Sequence, residues 1–67
     1  MTMNKQYQIH FCMLGFWLGY VTPDGTVTEL GRGVKSIDRA MSRCERHAGH
    51  SLEWEPINGH FTAEVQR

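Results

Sequence analysis

Residues 36–50 read SIDRAMSRCERHAGH, and this stretch has two chemically different faces when it is drawn as a helix. At about 100° per residue, one face collects small or apolar side chains, namely Ile37, Ala40, Met41, Cys44 and Ala48. The opposite face collects three arginines and a histidine, namely Arg39, Arg43, Arg46 and His50. We call the three arginines the arginine ridge. The pattern predicts a helix with one face for a protein core and the other for an anion.

The ends of this helix are marked by residues with capping preferences. Ser36 suits the N-cap, and Asp38 suits the positive end of the helix dipole. Gly49 can take the left-handed conformation that commonly follows the last turn. We therefore predict a helix over about residues 37–48.

The chain before this helix has the pattern of three antiparallel strands. Apolar residues alternate with polar ones over residues 7–13, and further apolar or β-branched runs cover residues 16–21 and 26–30. Thr22-Pro23-Asp24-Gly25 predicts a type I turn with glycine in the left-handed position, and Leu14-Gly15 predicts a tighter turn. These two turns determine the cross-strand pairs, which we predict to be Met13–Phe16, Phe11–Leu18, Ile9–Tyr20, Leu18–Leu30 and Tyr20–Thr28.

Two further strands are predicted after the helix, around the hairpin signal Asn58-Gly59. The resulting pairs are Leu52–Val65, Trp54–Ala63 and Pro56–Phe61 on one face, with Glu53–Glu64 and Glu55–Thr62 on the other. The fold class is therefore α+β, a single antiparallel sheet in the sequence order βββαββ with one helix packed on one face. A chain of 67 residues forms one small domain, in which we expect residues 1–5 to be frayed.

Charge is segregated along a chain that is neutral overall. Residues 31–50 hold five basic and two acidic side chains, which gives this segment a net charge of +3 and the rest of the chain −3. Arg32 and Lys35 precede the helix and add to the ridge. Guanidinium groups spaced along a helix can each pair with a phosphate, so nucleic acid is one candidate partner. The alternative is an ordinary solvated helix face, and the neutral total charge argues against binding chosen by bulk charge.

The predicted register also assembles an acidic patch from Glu53, Glu55 and Glu64. Glu53 directly opposite Glu64 is repulsive, so a purely structural design would avoid this pair and a basic partner surface would relieve it. The alternative is a pair of solvated, screened carboxylates. A surface that is basic on the helix and acidic on a hairpin suits a protein partner better than a phosphate backbone.

The sheet face turned away from the helix is the third candidate surface. Trp17, Val21, Val27, Cys12 and His10 fall on this face, where the short chain has no second layer to cover them. An uncovered patch that contains tryptophan usually marks an interface, so we expect a partner or a homodimer contact here. The alternative is that the register is wrong and that Trp17 belongs to the core.

The sequence contains no set of residues with a catalytic, cofactor or metal signature. Cys44, His47 and His50 fall at i, i+3 and i+6, whereas a zinc site needs four ligands that converge. Residues 31–36 lie between a strand and a helix, but Val34 stands where a Walker A loop requires glycine. A helix N-terminus of this kind can still hold one phosphate. We expect a non-enzymatic protein without metal or cofactor.

Cysteine content and hydropathy bear on the cellular compartment. Two cysteines are too few for a disulfide scaffold, which favours two free thiols in a reducing cytoplasm. Residues 9–21 are apolar enough to suggest a signal peptide or a membrane segment. His10, Gly15 and Gly19 interrupt this run, and it is shorter than the ~20 residues that a span needs. We expect a cytoplasmic protein without membrane contact.

Two resemblances to known proteins add to these expectations. Tyr7-Gln8-Ile9, Pro23-Asp24-Gly25 and residues 15–20 resemble the N-terminal domain of HicB-type antitoxins, although the Leu-Pro of that family's motif is missing here. In size, single sheet-plus-helix layer and segregated charge, the chain resembles small phage and mobile-element proteins, including anti-CRISPR proteins. That resemblance implies an inhibitor that occupies the surface of a larger machine. The expected function is a small binding protein of this kind, and the alternative is a nucleic-acid-binding module that uses the arginine ridge.

Overall fold

A computed structural model describes residues 5–57 and 60–64 of the chain. The strands are β1 (Gln6–Cys12), β2 (Gly15–Val21), β3 (Val27–Val34), β4 (Glu55–Ile57) and β5 (His60–Glu64), with helix α1 (Ile37–Ala48) between β3 and β4. They form one antiparallel sheet in the spatial order β3-β2-β1-β5-β4. The predicted α+β class and the order βββαββ are confirmed. The expected fraying concerns mainly residues 1–4, which lie outside the described residues.

Helix α1 begins and ends where the capping residues predict. The Ser36 hydroxyl accepts a hydrogen bond from the backbone N–H of Arg39 at 3.3 Å. Gly49 has a φ of 86° and donates its N–H to the Glu45 carbonyl at 2.8 Å. These contacts satisfy backbone groups that every helix end leaves without an intrahelical partner. Both ends are therefore determined by local sequence.

The core lies between α1 and one face of the sheet. Its buried members come from the helix, the central strands and the chain around them, namely Tyr7, Ile9, Leu18, Ala40, Cys44, Leu52 and Ala63. Ile37, Met41 and Ala48 pack against this set from the helix, so the predicted apolar face of α1 is confirmed. Because that face is buried, the arginine ridge points to solvent.

The β1–β2 hairpin turns one residue earlier than the sequence predicts. The observed pairs are Phe11–Phe16, Ile9–Leu18 and Tyr7–Tyr20, in place of Met13–Phe16, Phe11–Leu18 and Ile9–Tyr20. Gly15 is not a loop residue but the first residue of β2, with a φ of 129°. An ideal Cβ on Gly15 would lie 2.8 Å from the Gly33 carbonyl carbon, so a close contact with β3 holds this glycine in the sheet. The error shifts the register by an even number of residues and leaves each side chain on its predicted face.

The β2–β3 pairing combines a confirmed turn with an unpredicted bulge. Gly25 has a φ of 91° and donates its N–H to the Thr22 carbonyl at 2.9 Å, as the predicted turn requires. The predicted Tyr20–Thr28 pair is confirmed, whereas the predicted Leu18–Leu30 pair is wrong. Leu18 pairs with Gly31 because the register shifts on both sides of Leu18. Such a bulge inserts extra residues into one strand and bends it locally.

The C-terminal hairpin is shorter than predicted. The pairs Pro56–Phe61 and Glu55–Thr62 are confirmed, but β4 begins only at Glu55, so the predicted Glu53–Glu64 and Trp54–Ala63 pairs are wrong. The physical reason is Leu52, which packs into the core and donates its N–H to the Glu45 carboxylate at 3.0 Å. This contact keeps Leu52 next to α1, so the chain pairs with β5 only from Glu55 onward. The predicted Leu52–Val65 pair and Asn58-Gly59 turn involve positions outside the described residues.

Candidate functional site

The arginine ridge is exposed along the outward face of α1. Arg39, Arg43 and Arg46 line an open depression of about 300 Å³ together with Asp38 and Ser42. Within residues 5–57 and 60–64, none of the three guanidinium groups forms an ion pair. The ridge therefore presents three positive charges whose hydrogen-bonding groups are available to an anionic partner.

Arg43 extends the ridge from the helix onto the sheet. Its Nη1 lies only 2.7 Å from the place where an ideal Cβ on Gly31 would stand. Because Gly31 has no side chain, the guanidinium of Arg43 can lie directly on the backbone of β3. The helical periodicity predicts Arg43 on the ridge but gives no signal for Gly31, which pairs with Leu18 only because of the bulge.

Arg32 and Lys35 do not join the depression of the ridge. Arg32 lies on β3, where its Nε is 3.6 Å from the Glu29 carboxylate. It lines a different cavity together with Trp17. Lys35 is exposed in the short connection between β3 and α1. The structure therefore separates these two basic residues, which sequence analysis had grouped with the helix.

Three glutamates converge near the β4 edge of the sheet, and we call them the acidic basin. Glu53, Glu55 and Glu64 are exposed and line a common depression of about 230 Å³. They converge although the predicted Glu53–Glu64 strand pair is wrong. Thr62 lines the same depression, and its hydroxyl is buried without a hydrogen-bond partner among the described residues. The basin is therefore an acidic surface with an unused polar group beneath it.

Trp17 lies on the sheet face opposite α1, so the alternative that places it in the core is wrong. Its indole Nε1 donates a hydrogen bond to the Glu29 carboxylate at 2.8 Å. Trp17 Cη2 would lie 2.5 Å from an ideal Cβ on Gly19, which shows that the indole lies across this glycine. The side chain is thus half-buried by its own sheet.

Two histidines stack on the same outer face. The rings of His10 and His60 lie on paired positions of β1 and β5, with centroids 4.6 Å apart. His10 Nε2 lies 3.0 Å from the Gln8 side-chain oxygen, and its ring meets Trp17 edge-on at 5.7 Å. Burial, with a smaller contribution from His60, lowers the pKa of His10. A layer of rings and amides therefore covers the centre of this face.

The most exposed apolar feature is the end of the β1–β2 hairpin, which the strand pattern did not predict. Phe11 is 69% exposed, Met13 101% and Leu14 84%, and we call these three residues the apolar tip. A signal was available, because residues 11–17 read FCMLGFW without one charged residue or any of the polar residues common in turns. Alternation assigned Met13 to the covered face, but α1 does not cover this end of the sheet.

A groove lies beside the apolar tip on the outer face. Its volume is about 450 Å³, and most of its wall is apolar. The lining residues are Cys12, Met13, Leu14, Trp17, Glu29, Arg32 and Gly33. The predicted interface around Trp17 thus has a concave part that the sequence could not locate.

The two cysteines are free and lie in opposite environments, as expected. Cys12 is exposed on the outer face, whereas Cys44 is buried beneath α1. Burial raises the pKa of the Cys44 thiol to about 11, which makes it unreactive at neutral pH. Among the described residues, no group of three or more side chains is arranged to hold a metal ion.

Comparisons with known proteins do not identify a relative. A scan against protein-family models, a search of curated proteins and a search of solved structures each gave no match to this chain. Within residues 5–57 and 60–64, no helix is long and apolar enough to cross a membrane.

Proposed function

We propose that this protein is a small non-enzymatic binding module that inhibits a protein partner by occupying its surface. The supporting observation is the separation of charge into the arginine ridge and the acidic basin. In the described residues, the one ion pair within 4.0 Å joins Arg32 to Glu29, and neither charged surface neutralises the other. Surface charges that serve only solubility are usually interspersed, whereas segregated charges give a partner both attraction and orientation.

The arginine ridge fits an acidic protein surface. Guanidinium groups form two parallel hydrogen bonds with a carboxylate, which adds geometric specificity to the attraction. Exposed ion pairs contribute only about 0–1 kcal/mol each, but pairs that lose water in an interface contribute more. Arg43 is the best placed of the three because its guanidinium already rests on β3 at Gly31.

The acidic basin fits a basic side chain of the same partner. Its three carboxylates can accept hydrogen bonds from such a side chain. A protein that contacts both the ridge and the basin would need positive and negative patches at matching positions. A phosphate backbone is negative throughout and would be repelled by the basin, so a protein is the better partner for the two surfaces together.

Affinity capture from a cell lysate, with and without nuclease, tests this proposal. We expect a nuclease-resistant protein partner, and we expect Arg39→Glu combined with Arg43→Glu to lower its capture at least tenfold, or about 1.4 kcal/mol. Glu53→Lys combined with Glu64→Lys tests the basin in the same way. If both charge reversals leave capture unchanged, the charged surfaces are not the contact.

The double variant Arg39→Lys with Arg43→Lys is the matched control. It retains both charges but loses the planar, bidentate geometry. We expect it to capture the partner more weakly than the parent chain and more strongly than the charge-reversed variant. Near-ultraviolet circular dichroism should show that each variant retains the parent fold.

A nucleic-acid-binding function is the second candidate, and it is favoured by three guanidinium groups on a single helix face. Three phosphate contacts predict that the logarithm of the binding constant falls with log salt with a slope of about −2.7. A mobility-shift titration with DNA and RNA at low salt tests this alternative. Absence of a shift there would remove it, and loss of the captured partner after nuclease treatment would favour it.

A further inference from the structure

The apolar tip is an unusual way to end a β-hairpin. Two-residue turns normally contain glycine, asparagine or aspartate, because these residues tolerate the required backbone angles and are compatible with water. Here the turn is Met13-Leu14, between the paired residues Cys12 and Gly15, and both turn side chains are almost fully exposed. Phe11 adds a third exposed apolar side chain, on the sheet face opposite the groove. Exposed apolar patches on a small domain commonly mark interaction surfaces.

The groove beside the tip has a matching character. Its wall is mainly apolar, and its volume of about 450 Å³ is large enough for side chains of the size of leucine or methionine. Met13 and Leu14 also line this groove, so the convex and the concave parts are adjacent on the same molecule. A surface that contains both a protrusion and a complementary recess can contact a second copy of itself around a twofold axis.

We propose that a second copy of this chain docks at this place, with Met13 and Leu14 of each copy inserted into the groove of the other. This inference goes beyond the proposed function, since it concerns neither the arginine ridge nor the acidic basin. The dimer would carry two ridges and two basins, one of each per copy. It would therefore increase the avidity of the charged surfaces without new contacts to the partner.

Charge complementarity favours a second copy over a different protein. The groove has one acidic and one basic residue, Glu29 and Arg32, which form an ion pair within the chain. Because these two charges cancel within the groove, the groove presents no like-charge repulsion to the uncharged Met13-Leu14 turn of a second copy. The chain is also neutral overall, with an isoelectric point near 6.9, so two copies do not repel each other at neutral pH.

The contact is small, and we expect a weak dimer. Interfaces that bury less than about 1,200 Å² are typical of transient complexes, which often dissociate in the micromolar range. Sedimentation velocity between about 5 µM and about 500 µM should therefore show a shift from monomer to dimer. A sedimentation coefficient that stays that of a monomer up to the highest concentration would overturn the proposal.

A pair of exposed-site variants locates the contact. Leu14→Gln changes a side chain that is 84% exposed, so the fold should be retained while the dimer weakens at least tenfold. Val27→Gln is the control, since Val27 is 58% exposed and lies at the opposite end of β3 from the residues that meet the tip. We expect Val27→Gln to dimerise like the parent chain. Equal weakening by both variants would contradict the assigned surface.

The Cys12 thiol gives an independent readout because Cys12 lines the groove. Insertion of a second copy's tip would shield this thiol, so alkylation by iodoacetamide should slow as the protein concentration rises. Cys44 is buried and does not compete at neutral pH. In Leu14→Gln, the alkylation rate should not depend on protein concentration. A rate that is independent of concentration in the parent chain would count against the dimer, whatever the outcome of partner capture.

Discussion

The hydroxyl of Tyr7 lies 2.7 Å from Nδ1 of His47 and joins the central strand β1 to the last turn of α1. The His47 ring also stacks on Tyr20, with ring centroids 5.2 Å apart. Burial, followed by the nearby Cys44 and Tyr20, raises the pKa of Tyr7. The phenol therefore keeps its proton at neutral pH, and its hydroxyl forms a hydrogen bond with Nδ1 of His47. This hydrogen bond connects the two layers of the domain across the edge of its core.

Tyr7→Phe removes this hydrogen bond and retains the buried ring. We expect the free energy of unfolding to fall by about 1 kcal/mol, since the exposed Nδ1 can bind water in the variant. Urea unfolding followed by circular dichroism measures this change. Tyr20→Phe is the control, because the Tyr20 hydroxyl has no hydrogen bond among the described residues. Equal losses in the two variants would show that the hydrogen bond contributes nothing specific.

Gly19→Ala should disturb the outer face of the sheet. The new Cβ would lie 2.5 Å from both the Thr28 carbonyl oxygen and Trp17 Cη2, so the backbone and the indole must both move. We expect a loss of about 1–3 kcal/mol in the free energy of unfolding. In a Trp54→Phe background, the emission of Trp17 should also change as its hydrogen bond to Glu29 is displaced.

Gly25→Ala is the control for Gly19→Ala, because it measures the cost of replacing a glycine without a clash against Trp17. Gly25 faces open space but has a φ of 91°, so alanine there costs about 1–2 kcal/mol through backbone strain alone. This variant should leave the emission of Trp17 unchanged. If Gly19→Ala also leaves that emission unchanged, the contact between the indole and Gly19 is not what restricts this position.

His10 should make the stability of the fold depend on pH. Burial and the neighbouring His60 lower the pKa of His10 from its ordinary value of 6.5, which the unfolded chain retains. As the pH falls through 6.5, the unfolded state takes up the proton first and the folded state loses relative stability. The contribution of neutral His10 to the free energy of unfolding is therefore complete above pH 6.5. It is lost as the pH falls to the lower pKa that His10 has in the folded protein.

His10→Gln should flatten this dependence between about pH 7 and pH 5. Urea unfolding at a series of pH values compares the variant with the parent chain, so that carboxylates common to both cancel. An NMR titration of the His10 ring measures the shifted pKa directly. Identical slopes for the two proteins, together with an ordinary His10 pKa, would contradict this prediction.

Local signals in the sequence were sufficient for the helix and for the faces of the strands. The Ser36 and Gly49 caps act within a few residues, so the bounds of α1 follow from the chain itself. Alternation assigned Trp17 to the outer face even though the register of its strand was wrong. The face of a side chain depends only on whether its position is odd or even along the strand, and the register error was an even number.

The start of β2, the length of β4 and the exposure of the apolar tip depend on contacts between distant parts of the chain, which the sequence does not predict. Gly15 begins β2 because its backbone lies against Gly33, and that contact cannot be inferred from the turn residues. The position of Leu52 depends on a hydrogen bond to the Glu45 carboxylate, which shortens β4. The sequence signals an apolar hairpin end, but its exposure depends on how far α1 extends over the sheet.

The two edges of the sheet restrict how any partner can attach. The edge strand β4 has three residues, and its central Pro56 has no N–H to donate. The other edge strand, β3, is interrupted by the bulge near Gly31 and by the left-handed backbone of Gly33, which has a φ of 68°. Neither edge is therefore a good template for an added strand. A partner of this chain would therefore be recognised through side chains, so single substitutions at the surface would abolish binding without changing the backbone.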